Sequence, residues 1–172
     1  STAFNRTIGM LRRAGASVER FVFPELHEVA GHLPLAGITA AQAWAWHREH
    51  VARDAEAYDS RVLKRLRIGE GRSAADYIDL LAARERFMRE AQTRLAMFDA
   101  WLMPTVAIVP PEIADVERDD DAFFAVNAKV LRNSSVVNFM DGCALTLPCH
   151  NADELPVGLS ICGLALADAS IL

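Results

Sequence analysis

The sequence predicts an α/β fold, and three observations carry that expectation. Two short apolar runs in the last third, ALTLP (144–148) and VGLSI (157–161), are bounded by Gly142, Pro148, Pro156 and Gly163. Apolar runs of this length between glycine and proline read as buried strands. The middle of the chain instead carries long stretches with apolar residues at steps of three and four, the helical period. The opening residues then join a helix pattern, a Gly-Ala turn and an alternating run, which is half of an α/β unit.

In chain order, Phe4, Ile8 and Leu11 follow helical spacing, with Arg12 and Arg13 in the last turn and Gly15 as the stop. Residues 18–23, VERFVF, alternate as a strand that Pro24 ends. Thr39 and Gln42 have capping-box spacing, and Trp44, His47, Val51, Ala55 and Tyr58 share the face of the helix that would follow. A short helix is expected over residues 60–68, ended by Gly69-Glu70-Gly71. A long one starts at Ser73, with Asp76 three residues on and a stripe running from Tyr77 through Phe87 and Ala91 to Leu95. Residues 100–103 read as a buried strand running into a loop broken by Pro104, Pro110 and Pro111. VERDDD (116–121) reads as a solvated loop whose acids favour the N-terminus of a helix over 122–131. Asn133, Ser134 and Ser135 read as a helix-terminating cluster. Asn151 to Glu154 make a turn between the last two strands, and Asp168 is placed to cap a final helix.

Composition bounds the function. The chain has 172 residues, 52% hydrophobic and 24% charged, which fits one domain with a sizeable core. A net charge of −5 leaves no electrostatic footprint for nucleic acid or an anionic membrane. No apolar stretch is long enough to span a bilayer. Cys143, Cys149 and Cys162, an odd count in predicted strands, read as free thiols, so a cytoplasmic location is expected.

Chemistry-bearing patterns are few. His47 and His50 stand at i and i+3, one residue short of the H-E-x-x-H zinc spacing and with no third ligand in the pattern, so no metal is expected. No Cys-x-x-Cys, phosphate loop or G-x-S-x-G elbow is present. Ser134-Ser135 reads as part of the helix-terminating, backbone-capping cluster rather than as a nucleophile. No complete nucleophile–base set can be assembled from these residues.

Several pieces, in order, resemble the amidase signature family. They are the opening helix with AGASVERFVFPEL, then ITAAQAWAWHREH, then YDSRVLKRLRIGEGRSAADYIDLLAARER, then FDAWLMPTVAIVPP with its D-x-x-x-x-P-T strand and loop. The match is best over residues 138–163, NFMDGCALTLPCHNADELPVGLSICG. One departure is Asp141-Gly142-Cys143 where many members carry Gly-Leu-Pro.

The resemblance implies the C-terminal portion of an α/β/α sandwich with a central mixed sheet flanked by helices, helix-rich over 38–98 and strand-rich over 99–172. It implies an amidase cleaving the carboxamide C–N bond of a small-molecule amide through a serine acyl-enzyme, with the Ser–Ser–Lys machinery upstream of Ser1 and no cofactor. This chain would supply strands and one wall of the acyl pocket, with Met103, Thr105, Asn138, Asp141 and Cys143 as wall candidates. A non-catalytic binding module, or a member of an amidotransferase-like complex, are the alternatives. Both ends read as cuts through elements, and with the Ser–Ser–Lys machinery upstream the chain alone is expected to be inactive. Its open sheet edge would pair with the missing N-terminal half or with a second copy.

Overall fold

In a computed structural model, residues 2–24, 26 and 36–172 are described. The chain divides into two compact units, Pro24–Glu90 and the pair of segments Ser1–Phe23 and Ala91–Leu172. Glu25 of the AGASVERFVFPEL motif lies outside the described residues.

The first unit is helical. Helix α2 (Ala36–Arg53) is followed by a short 3₁₀ turn (Ala55–Ala57), then α3 (Ser60–Arg67) and most of α4 (Ala74–Leu95). The Asp59 side chain accepts from the backbone N–H groups of Arg61 and Val62, capping α3. Ser73 and Asp76 form a reciprocal box at the head of α4: the Asp76 carboxylate accepts from the Ser73 N–H at 2.9 Å, and the Ser73 hydroxyl accepts from the Asp76 N–H at 3.1 Å. The Ser73 N–H, and after it the Ser73 hydroxyl donating to the same carboxylate at 2.8 Å, hold the Asp76 carboxyl below its ordinary range. Among the described residues of this unit, Ala40, Val51, Leu66 and Phe87 are the buried apolar side chains.

Two expectations are corrected here. Thr39 is not an N-cap, because α2 begins before it at Ala36; the Gln42 amide, freed from that role, donates to the Tyr77 hydroxyl at 3.0 Å. The face from Trp44 to Tyr58 is also not one helix. Asp54 leaves helical geometry and caps the 3₁₀ turn by accepting from Ala57 N–H. His47 and Tyr58 still meet across that break, Nδ1 to hydroxyl at 2.9 Å.

The second unit holds the sheet. Its strands are β1 (Trp101–Pro104), β2 (Cys143–Pro148) and β3 (Gly158–Gly163), in the order β1-β3-β2, with β3 antiparallel to both neighbours. Helices α1 (Thr2–Arg13), α5 (Ile113–Glu117), α6 (Asp120–Phe139) and α7 (Asp168–Ile171) complete it. The fold is therefore mixed α/β as expected, and the sheet formed by the described residues is antiparallel. β3 is the buried centre, with Leu159, Ser160 and Cys162 all shielded, whereas β2 is mostly exposed.

Residues 18–23 form no strand. Two of their carbonyls accept from arginines: Arg12 donates to Val18 O at 2.7 Å and Arg94 to Val22 O at 3.3 Å. Phe21 stacks on Phe98 at 5.4 Å, and Arg94 lies over the Phe23 ring, so side chains rather than backbone pairing fix this stretch.

Helix α6 runs past its expected end at residue 131 to Phe139, which places Asn133, Ser134 and Ser135 inside it. The first two find partners without ending the helix. Ser134 donates to Leu131 O at 3.2 Å along its own helix, and Asn133 donates to Pro104 O at 2.6 Å. Part of the VERDDD run is likewise helical, since Val116 and Glu117 belong to α5, and Asp119 caps α6 through Ala122 N–H at 2.7 Å. Asp168 is the first residue of α7 rather than its cap, which is Ala167. Strand β1 is shifted one residue toward Pro104.

Candidate functional site

Register and pleat place the hydroxyl residues together. Met103, Ser160 and Thr146 are cross-strand partners, so their side chains share one face of the sheet. Thr105 follows β1 and donates its N–H to Gly158 O at 2.9 Å, which extends the same ladder by one step. The Ser160 hydroxyl, the buried polar side chain of the core, lies 2.9 Å from Thr105 Oγ1 and 3.1 Å from Thr146 Oγ1. One hydroxyl can donate once and accept twice, so this trio satisfies Ser160.

Gly158 makes the trio possible. A Cβ there would stand 2.6 Å from Thr105 Oγ1 and 3.1 Å from Thr146 Cγ2, so only glycine lets the two threonines close over β3.

Beside the trio opens a groove of about 500 Å³, lined by residues 104–109, Thr146, Pro148, His150 and residues 156–158. Its walls are mainly proline, valine, isoleucine and alanine, with Thr105, Thr146 and His150 as the polar groups. An apolar cleft with a few convergent polar groups is the ordinary form of a small-molecule site.

The turn that carries His150 is tied down from α1. Arg6 donates to both carboxylate oxygens of Glu154, at 2.8 and 2.6 Å, and to Cys149 O at 3.2 Å. Glu154 also accepts from Asn151 N–H at 2.8 Å. The Arg6 guanidinium, and after it the Asn151 N–H, hold the Glu154 carboxyl down at about 2.

The five residues expected to line an acyl pocket fall at two places. Thr105 lines the groove, and Met103 shares its sheet face. Cys143 pairs with Gly163 at the opposite end of the sheet, and its thiol reaches toward Leu164 O at 3.6 Å. Asn138 and Asp141 form the turn from α6 into β2, where Asp141 N–H donates to Asn138 O at 3.2 Å and Asp141 has φ +60°. Five strand steps separate Cys143 from Pro148 at the groove, roughly 17 Å at the usual rise.

His150, Thr146 and Ser160 carry no signature in the sequence, whereas Thr105 is the threonine of the D-x-x-x-x-P-T piece. Alternation in ALTLP and VGLSI could have put Thr146 and Ser160 inside; nothing local marks His150. The histidines at near-zinc spacing are engaged elsewhere, His47 with Tyr58 and His50 with Arg53 at 2.8 Å. Among the described residues, no group of histidine, cysteine and carboxylates could hold a metal. The Cys162 thiol is pushed up to about 12 by burial.

The amidase family model matches residues 1–172, the whole of the sequence. The chain belongs to the amidase family. Among curated amidase relatives, 2-amino-5-chloromuconic acid deaminase of Comamonas testosteroni is 30% identical over 173 residues, spanning 100% of this chain and 37% of its own. A glutamyl-tRNA(Gln) amidotransferase subunit of Saccharolobus solfataricus is 25% identical over 132 residues, spanning 74% of this chain and 27% of its own. The fold is shared with allophanate hydrolase of Kluyveromyces lactis, at a TM-score of 0.87 and 22% identity over 99% of this chain and 27% of that one. The chain thus spans about a third of the length of the curated relatives it matches. No helix among the described residues is long and apolar enough to cross a membrane.

Proposed function

We propose that the whole protein is an amide hydrolase acting on a small carboxamide, and that residues 1–172 supply sheet strands and one wall of its acyl site. The amidase family match along the entire chain carries this reading. In the proposed reaction a serine oxygen bonds to the amide carbonyl carbon, the C–N bond breaks, and ammonia leaves with the proton a base has taken from the serine. Water then opens the ester, releasing the acid and restoring the serine. Backbone N–H groups at the developing oxyanion lower the barrier.

The serine and its base are proposed to lie outside residues 1–172. Within the described residues, the serines with assigned bonds are otherwise committed: Ser73 to a helix cap, Ser134 to Leu131 O, Ser160 to two threonines. The groove beside Thr105 is the proposed acyl wall, with Met103 behind it on the same face. Asn138, Asp141 and Cys143 are proposed as wall residues only for a substrate that reaches the Gly163 end of the sheet. A cytoplasmic location is part of the same proposal.

A second reading, ammonia transfer within a complex, is favoured by the similarity to an amidotransferase component. Ammonia release by the purified whole protein, across aliphatic and aromatic carboxamides and glutamine, tests both. Free ammonia from a simple carboxamide supports hydrolysis. Release from glutamine alone, and only with an acceptor substrate and partner protein present, supports transfer. No release from any amide by folded protein overturns both and leaves a binding module.

A further inference from the structure

The groove holds one side chain whose position is over-determined and whose outer nitrogen is unused. His150 follows the end of β2, half-buried, in the turn between β2 and β3. Its neighbours on both sides are clamped by the same ion pair: Arg6 holds Cys149 O, and Glu154 holds Asn151 N–H. Its own ring is pinned as well. Nδ1 lies 3.2 Å from Val157 N and 3.1 Å from Val157 O.

Hydrogen-bond accounting assigns the tautomer. Val157 O already accepts from Cys149 N–H at 2.9 Å, whereas the Val157 N–H is directed at Nδ1. Nδ1 therefore accepts, and in the neutral ring the proton sits on Nε2. A doubly protonated ring would carry a proton on Nε2 as well. In both states Nε2–H is a donor, and no described residue accepts from it. A donor held this firmly in a mostly apolar cleft loses affinity for any ligand that leaves it unpaired, and that is a source of discrimination.

We infer that His150 is a specificity-determining residue, and that its Nε2–H takes a second oxygen acceptor on the acyl group, a carboxylate or a carbonyl, while the apolar walls take the intervening methylenes. This rests on the acyl-wall reading of the groove. The substrate class is then carboxamides bearing another acid or amide group at the far end of the acyl chain. Among the described residues, no aspartate, glutamate, lysine or arginine lines the groove, so the same contact serves a free carboxylate and a neutral carbonyl.

The experiment uses the whole protein and compares kcat/KM on matched substrates: succinamic, glutaramic and adipamic acids, the corresponding diamides, and plain amides of equal length. The expected result is a preference for the substrates with a far acceptor, and a ratio to the plain amide that falls roughly tenfold in His150→Phe, the factor one ordinary hydrogen bond carries. His150→Gln, which keeps an N–H, holds the ratio nearer to wild type. A ratio unchanged in His150→Phe overturns the inference. Selectivity for the acids but not the diamides assigns the contact to carboxylates; equal selectivity assigns it to oxygen acceptors in general.

Binding separates this inference from the hydrolase reading. The imidazole ¹⁵N signals, assigned by their loss in His150→Phe, are followed as glutaramic acid is added. A shifted His150 Nε2 signal without turnover upholds the contact and counts against hydrolysis. Turnover with no shift at saturating glutaramic acid overturns the contact alone.

Discussion

Arg6 and Glu154, far apart in sequence, meet end-on, with both terminal guanidinium nitrogens on the two carboxylate oxygens at 2.8 and 2.6 Å. Both side chains are about a third exposed, so the pair is partly screened, but its fork geometry and the added bond from Asn151 N–H make it more than a surface contact. It fastens α1 to the turn between β2 and β3.

Acid should release that fastening. The Glu154 carboxyl is lowered from 4.5 to about 2 in the folded state. A depressed carboxyl stabilises fully above its unfolded value, and the contribution is lost as pH falls from about 4.5 to about 2. Urea midpoints measured across that window should fall more steeply for wild type than for Glu154→Gln. Equal slopes would show that the pair is not linked to folding.

Gly158→Ala should destabilise by about 1–3 kcal/mol, since its Cβ would press on Thr105 Oγ1 and Thr146 Cγ2. Thr105→Ala removes the nearer atom, so the double variant should cost less than the sum of the single ones. Strict additivity in chemical denaturation would place the strain elsewhere.

Asp141 sits at φ +60°, a conformation that favours glycine. Asp141→Gly should therefore be neutral or stabilise by up to about 1 kcal/mol, read as a raised melting temperature. If amide turnover falls while stability holds, the carboxylate contributes to the substrate wall; if turnover is unchanged, Asp141 serves only the turn.

Asn133→Ala should cost about 0.5–1.5 kcal/mol, the worth of its bond to Pro104 O. Because Pro104 opens the loop along the groove, KM should rise more than kcat falls. An effect confined to kcat would point away from a role in shaping the acyl wall.

Much of the architecture is legible locally. The Ser73–Asp76 box before α4 and the punctuation by Gly142, Pro148 and Gly163 each act within a few residues, so spacing alone reveals them. The apolar runs around Thr146 and Ser160 gave β2 and β3 for the same reason. Extended runs such as 18–23 are different: alternation permits a strand, but pairing needs a partner, and here Arg12 and Arg94 occupy the carbonyls of Val18 and Val22. Asn133 and Ser134 mislead in the opposite sense, because a side chain that finds Pro104 O or Leu131 O has no need to end its helix.

The sequence by itself determined the family, the α/β class and the bounds of those elements that local caps and turns punctuate, such as α3, the head of α4 and strands β2 and β3. The tertiary structure alone decided the groove. Thr105, Thr146 and Ser160 come from three segments and meet only through strand register, and His150 is aimed only once Arg6, from the first helix, has fixed the turn around it. Contacts made across such long loops leave no spacing signal in the chain.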